Sequence, residues 1–118
     1  MDNVIVNKSF KFAIRIVKLY KYLCDEKKEY VLSKQLLRSG TSIGANINEA
    51  QEAQSKNDFI SKLSISLKEA RESKYWIELL KETDYLTIKE ADSLLDNLTE
   101  ILKLLTSIIK TTRTNNAK

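Results

Sequence analysis

Three glutamates in the middle of the sequence, two of them at helical spacing, are the first residues to consider for chemistry. Glu69 and Glu72 are three residues apart, and Glu49 lies on the preceding helical segment. Metal sites in helix bundles combine such carboxylates with histidines, and the chain has no histidine. The same absence removes the usual base of serine and cysteine nucleophiles, and the single Cys24 is too few for a zinc site. We therefore predict no catalytic residue, no metal site, no cofactor and no small-molecule substrate.

Four basic residues near the N-terminus share one face of a predicted helix. They are spaced three, four and three residues apart, as Lys8, Lys11, Arg15 and Lys18. No acidic residue lies between Asn3 and Cys24. Such a stripe can follow the phosphate backbone of RNA or DNA. It can equally be a solvated face, or a rim that meets the acidic middle of a neighbouring subunit.

The net charge changes sign twice along the chain. Residues 1–48 carry nine bases and four acids, residues 49–100 carry seven bases and twelve acids, and residues 101–118 carry four bases and no acid. The first and last helices of an up-and-down bundle are neighbours, so both basic ends could share one side. That side would suit an anionic partner or a complementary part of another copy.

The composition is that of one folded, helical domain. The chain has 118 residues, of which 42% are hydrophobic and 31% are charged, enough for one core. It contains no proline and only two glycines, which argues against a turn-rich β fold. The single cysteine, the lack of a secretion signal and the lack of a long apolar run predict a cytoplasmic protein without a membrane span.

Hydrophobic periodicity predicts four helices. They cover about residues 7–28, 33–52, 57–82 and 88–110, and residues 111–118 form a frayed tail. Ser33 is a candidate N-cap, Ser55 with Asp58 a variant capping box, and Thr87 with Glu90 a capping box. Short connections between such helices predict an all-α fold, an antiparallel up-down-up-down four-helix bundle with a single domain over residues 1–118.

Two of these helices carry wide apolar surfaces. On the first helix, one row contains Phe10, Ala13, Ile14, Val17, Lys21 and Cys24, all apolar except Lys21, and another contains Phe12, Ile16, Leu19 and Leu23. On the fourth, one row contains Ala91, Leu95, Leu98, Leu102, Leu105 and Ile109, and another contains Leu94, Ile101 and Ile108. The doubled row of the fourth helix indicates either burial of a central helix or an interface between copies. We expect a homo-oligomer.

Both glycines of the chain, Gly40 and Gly44, lie inside the second predicted helix among small residues. Each glycine costs about 1 kcal/mol relative to alanine in a helix interior. Their position indicates the close approach of another backbone, or simply tight packing. Because they do not follow a strand, they do not form a phosphate-binding loop.

A polar row runs beside these small residues on the second helix, and it consists of Arg38, Ser42, Asn46 and Glu49. The third helix offers Glu69 and Glu72 as partners. A buried or half-buried charge has to be paired and hydrogen-bonded. We therefore expect an interhelical network of arginine, glutamate and asparagine with a structural role.

The segments LLRSGTSIGANINEAQ, from Leu36 to Gln51, and SKNDFISKLSISLKEARESKYWIELL, from Ser55 to Leu80, carry a family resemblance. They resemble the bacterial four-helix-bundle proteins encoded in intervening sequences of large-subunit ribosomal RNA genes. The resemblance implies a compact bundle, a ring-like homo-oligomer that is a pentamer in relatives, and no established enzymatic activity. Relatives also include accessory proteins of diversity-generating retroelements, basic pentamers that bind nucleic acid and a reverse transcriptase. This chain differs from them in its modest net charge of +4 and its acidic middle.

Two functions follow as hypotheses. In the first, the protein is a non-enzymatic oligomer that acts as an interaction or scaffold module. In the second, it is an accessory protein that binds RNA or DNA through the basic face of the first helix.

Overall fold

The predicted all-α four-helix bundle is confirmed. The computed structural model describes residues 3–116, which form α1 (Val4–Asp25), α2 (Leu32–Gln51), α3 (Lys56–Glu82) and α4 (Ile88–Asn116). Each helix packs against the next in sequence, and α4 packs back against α1. Among the described helices, α1 does not contact α3. The bundle therefore has an outer α1–α2 side and, opposite to it, an outer α3–α4 side.

Contacts between neighbouring helices show that they run in opposite directions. Asn3 at the start of α1 bonds to Gln51 at the end of α2. Arg38 and Glu49 of α2 reach Glu72 and Lys62 of α3, respectively, so an increase in number on one helix is matched by a decrease on the other. The same relation holds for α1 and α4, where Lys8 meets Glu100 and Arg15 meets Ser93.

The first helix begins and ends three residues earlier than its spacing predicts. The side chain of Asn3 accepts a hydrogen bond from the N–H of Val6, which caps α1 before Val4. At the other end, the backbone of Lys28 has a φ of 54°, in the left-handed region, and there the chain reverses towards α2.

Ser33 is not the N-cap of α2, contrary to the sequence prediction. The carboxylate of Glu29 accepts hydrogen bonds from the N–H groups of Val31, Leu32 and Ser33, at 3.3, 3.2 and 2.7 Å. The hydroxyl of Ser33 donates in turn to the carbonyl of Glu29 at 2.7 Å. Glu29 is only 9% exposed, and its burial acts to raise its pKa, but the N–H donors outweigh that effect and lower it. A glutamate outside the helix thus satisfies the free N–H groups of the first turn.

We predict that Glu29→Ala lowers the free energy of unfolding by about 1 kcal/mol at neutral pH, because the substitution leaves buried donors without an acceptor. The folded-state pKa of Glu29 is lowered, so its stabilising effect is fully present above the ordinary value of 4.5 and is lost as the pH falls through the folded value. The difference in free energy of unfolding between wild type and Glu29→Ala, measured by urea denaturation, should therefore shrink as the pH is lowered. Glu26→Ala, at an exposed neighbouring acid, is the control. An equal difference at neutral and acid pH would contradict this role for the carboxylate.

Ser55 caps α3 as predicted, although within residues 3–116 Asp58 does not complete the variant capping box, and the predicted capping box of α4 is present. The hydroxyl of Ser55 accepts from the N–H of Asp58 at 3.0 Å. At the start of α4, the hydroxyl of Thr87 accepts from the N–H of Glu90, and the carboxylate of Glu90 accepts from the N–H of Thr87, both at 3.1 Å. This second pair is a complete capping box, and its donors lower the pKa of Glu90.

The predicted frayed tail is wrong for residues 111–116, because α4 continues to Asn116. Ile109 belongs to the buried core, Leu67 of α3 packs against that core, and Thr112 is half-buried. The last turns of α4 extend past the start of α1 and are supported by the long α3. No glycine or proline interrupts α4. Ala117 and Lys118 lie outside the described residues.

The apolar rows of α1 and α4 differ in their environments. Both rows of α4 lie in or against the core, so the doubled apolar surface of this helix is used for packing within one chain. On α1, the row with Phe12, Ile16 and Leu23 is buried. The other row, with Phe10, Ile14 and Val17, remains on the surface. Of the apolar rows on these two helices, the one that the fold leaves on the surface is therefore on α1.

Candidate functional site

Three large apolar side chains occupy successive turns on the outside of α1. Phe10 is 61% exposed, Ile14 is 40% exposed and Val17 is 37% exposed. Their spacing of four and three residues places them on one face of the helix. We call these three residues the α1 apolar face.

The neighbouring surface of α2 is mostly uncharged. Gly40 and Gly44 point towards α1, and the next row of α2 towards solvent lies beside them. That row consists of Leu37, Thr41 and Asn48, with Ala45 beyond it and the exposed Lys34 at its start. The hydroxyl of Thr41 and the amide of Asn48 donate to carbonyls of their own helix. The surface on the outer α1–α2 side therefore presents mainly apolar or internally satisfied groups.

The two glycines allow α1 and α2 to approach closely inside the bundle. A Cβ atom at Gly40 would lie 2.9 Å from both γ-carbons of Ile16, whereas one at Gly44 would lie 3.4 Å from the hydroxyl and 3.5 Å from the carbonyl oxygen of Ser9. Gly44 thus faces a backbone and Gly40 faces a side chain. Both glycines therefore serve the packing of α2 against α1 within one chain.

The predicted basic stripe of α1 is divided by the packing of α4. Lys8 forms an ion pair with Glu100 at 2.6 Å. Arg15 donates to the carbonyl and hydroxyl of Ser93, and to the side chain of Asn97. Lys11 and Lys18 are exposed, and within residues 3–116 they form no ion pair. Lys8 and Arg15, two of the four residues of the stripe, therefore stabilise the packing of α1 against α4 within the bundle.

The arginine of the predicted polar row pairs with the expected glutamates. Arg38 binds Glu69 at 3.2 Å and also binds Glu72. The indole N–H of Trp76 donates to Glu72 at 3.0 Å, and this bond and Arg38 lower the pKa of that carboxyl. Trp76 was not predicted as a member, although its spacing of four residues from Glu72 places the two side by side.

The other members of the polar row do not join this network, contrary to expectation. The hydroxyl of Ser42 donates to the carbonyl of Arg38, and the amide of Asn46 donates to the carbonyl of Ser42. Both bonds lie within α2, because short polar side chains reach the carbonyl one turn earlier. Glu49 pairs separately with Lys62 of α3 at 3.3 Å.

A second basic surface, which was not predicted as a unit, lies between α3 and α4. On the outer α3–α4 side, two adjoining depressions that share Thr106 and Lys110 form a shallow groove; Arg71 and Lys103 line the first depression, and Arg113 lines the second. The sequence shows that the last segment is basic but does not show that these residues turn towards α3. The two basic ends of the chain therefore border different grooves.

Metal binding and membrane insertion find no support in the part of the chain that the structure describes. Over residues 3–116, no three histidine, cysteine, aspartate or glutamate side chains come together as a metal site would require. None of the helices within these residues combines the length and the apolar character needed to cross a bilayer.

Comparison with known proteins decides the family. The family model of the 23S rRNA-intervening sequence protein matches residues 1–107. The chain belongs to this family. The predicted resemblance is confirmed.

A solved member has the same fold. It is a protein of unknown function from the S23 ribosomal protein family of Bacteroides thetaiotaomicron, with a crystal structure at 1.70 Å resolution. The two sequences are 60% identical, the match covers 90% of this chain and 98% of that chain, and the TM-score is 0.89. No curated protein matches the chain.

The segment that carries the resemblance to the 23S rRNA-intervening sequence family mainly joins α2 to α3. Beside the ion pairs of Arg38, the hydroxyls of Ser73 and Ser39 lie 2.9 Å apart, and Ser66 donates to the carbonyl of Ile43 at 2.8 Å. All three serines are buried. In this family member the segment therefore provides close, hydrogen-bonded helix packing.

Proposed function

We propose that this member of the 23S rRNA-intervening sequence family is a non-enzymatic, homo-oligomeric interaction protein whose subunits associate through the α1 apolar face. The observation that carries the proposal is the exposure of Phe10, Ile14 and Val17 on successive turns of one helix. Scattered apolar residues are normal on a monomer, but a contiguous apolar surface with a polar rim is typical of an interface.

The charge distribution supports a second copy of the chain as the partner. Lys11, Lys18 and Lys21 are exposed on α1, around the α1 apolar face. Residues 49–100 of another copy carry an excess of acids. A surface with an apolar centre and a basic rim on one subunit suits a more acidic surface on the next. Contacts between two different surfaces repeat around a ring when the rotation closes, and the family resemblance implies five subunits.

The interface can be tested with the double variant Phe10→Glu/Ile14→Glu. Two carboxylates in the centre of an apolar interface are costly to desolvate, so we expect the oligomer to dissociate into chains of 13.6 kDa. Size-exclusion chromatography with light scattering measures this mass, and circular dichroism checks that the helices persist.

The control is Val31→Glu/Ile88→Glu, which changes two apolar side chains that are 69% and 68% exposed at the other end of α1 and near the α3–α4 connection. It should keep the mass of the wild-type assembly. A wild-type protein that is monomeric at micromolar concentration, or a control that dissociates as completely as the test variant, would contradict the proposed interface.

A further inference from the structure

The groove between α3 and α4 concentrates positive charge without a compensating acid among its lining residues. Arg71 contributes from α3, and Lys103, Lys110 and Arg113 contribute from α4. The other lining residues are uncharged: Leu67, Leu102, Thr106, Ser107, Ile109 and Thr114. We call the four basic residues the basic groove.

The basic groove is extended in one direction. Lys103, Lys110 and Arg113 are separated by seven and three residues, so they lie on the same side of α4. At 1.5 Å of rise per residue, they span about 15 Å along the helix axis. This arrangement suits an elongated anion better than a single small one.

The charges of the basic groove are also available to a partner. Within residues 3–116, none of the four side chains takes part in an ion pair. Lys8 on the predicted stripe of α1, by contrast, is neutralised by Glu100. The unpaired charges therefore favour the outer α3–α4 side over α1 as the candidate surface for an anionic partner.

An exposed aromatic side chain lies next to the basic groove. Tyr75 is on α3, one turn from Arg71, and lines an adjoining shallow surface formed by α3 residues that include Arg71 and Lys74. Its ring packs edge-on against Trp76, with the ring centres 5.1 Å apart, which helps to hold it in place while it stays exposed. Basic residues combined with an aromatic platform are typical of proteins that bind single-stranded nucleic acid.

We propose that the basic groove binds the phosphodiester backbone of a single-stranded nucleic acid and that Tyr75 stacks on one of its bases. Glu78 and Glu82 lie beyond Tyr75 on the same surface of α3 and repel phosphate, so the bound strand runs from Tyr75 towards the end of α4. An acidic protein would use the same charges but has no need of the exposed ring. RNA and DNA share the backbone chemistry that the groove recognises.

This proposal is independent of self-association. The α1 apolar face and the basic groove lie on opposite sides of the bundle, so binding to the groove of a single chain does not need self-association. Failure of either proposal leaves the other intact.

The test is fluorescence anisotropy with labelled single-stranded RNA and DNA of about twenty nucleotides, and with a duplex of the same length, over a series of salt concentrations. If all four basic residues contact phosphates, the logarithm of the single-strand binding constant should fall with the logarithm of salt concentration with a slope of about −3. Lys103→Gln/Lys110→Gln/Arg113→Gln should weaken binding at least tenfold at low salt and reduce the slope to about −1. RNA and DNA probes that differ in affinity will identify the preferred strand.

Two control variants give the test its specificity. Lys11→Gln/Lys18→Gln/Lys21→Gln removes the same charge from exposed positions of α1 and should keep most of the affinity. Tyr75→Ala should weaken binding of the single strands by about tenfold without changing the salt slope, because stacking releases no counterions.

Several outcomes would overturn the proposal. Wild-type protein that leaves both single strands unbound at low salt would assign the groove to a different class of partner, such as an acidic protein. Equal losses in the groove variant and the α1 variant would show attraction by net charge alone. Tighter binding of the duplex together with an unchanged Tyr75→Ala affinity would exclude the single-strand assignment.

Discussion

Phe12→Ala should lower the free energy of unfolding by about 3–5 kcal/mol, which is a large part of the stability of a domain of this size. The side chain of Phe12 is only 1% exposed and belongs to the core of the bundle. Its removal loses the transfer free energy of an aromatic ring and leaves a cavity that four packed helices can only partly fill. Urea denaturation followed by circular dichroism measures the change.

The matched control is Phe10→Ala, which removes the same ring two residues away on the same helix. Because Phe10 is exposed in the single chain, this change should alter the stability of the monomer by less than about 0.5 kcal/mol. Association adds stability that depends on concentration, so the two variants should be compared at several protein concentrations. Equal losses for both variants in the monomer would mean that the orientation of α1 described above is wrong.

Gly40→Ala should destabilise the protein by about 1–3 kcal/mol, although alanine is the better helix former by about 1 kcal/mol. The new methyl group would lie 2.9 Å from two carbons of Ile16, a buried, β-branched side chain that has little freedom to move. Thermal or urea denaturation measures the loss. Gly44→Ala is the control: its methyl group would meet Ser9 at 3.4 Å, an ordinary contact, so its effect should stay within about 1 kcal/mol of zero.

A double-mutant cycle separates this contact from a general effect on α2. Ile16→Ala alone should cost about 2–5 kcal/mol through the cavity that it leaves. In combination with Gly40→Ala, the added methyl group occupies part of that cavity, so the double variant should be more stable than the sum of the two losses predicts. Strict additivity would show that the two residues do not share the space.

The helices of this chain were predictable where their signals are local. The capping box of Thr87 and Glu90 needs only residues three positions apart, and the structure contains both of its hydrogen bonds. The cap formed by Glu29 was missed because glutamate is not a usual N-cap and acts here from the preceding loop. The end of α4 was placed too early because the support for its last turns comes from α3, which periodicity within α4 does not reveal.

Candidate surfaces were harder to predict because they depend on which side of a helix faces the core. The rows of Phe10 and Phe12 have the same helical periodicity, and only the packing of α2 and α4 decides which one is buried. The pairing of Arg38 with Glu69 and Glu72 was expected, since long opposite charges on adjacent helices can reach each other. Glu100, which neutralises Lys8, lies 92 residues away in sequence, and no local pattern joins them.

The placement of the α1 apolar face and the basic groove on opposite sides of the bundle affects how strongly an assembly would hold a long strand. If subunits join through α1 and leave the basic groove open, each contributes one further groove, and a strand long enough to reach a second groove can occupy both. The second contact then forms intramolecularly, which can increase the apparent affinity about 10²- to 10⁴-fold without any new contact. Avidity of this kind would let a groove with few charges discriminate long strands from short fragments.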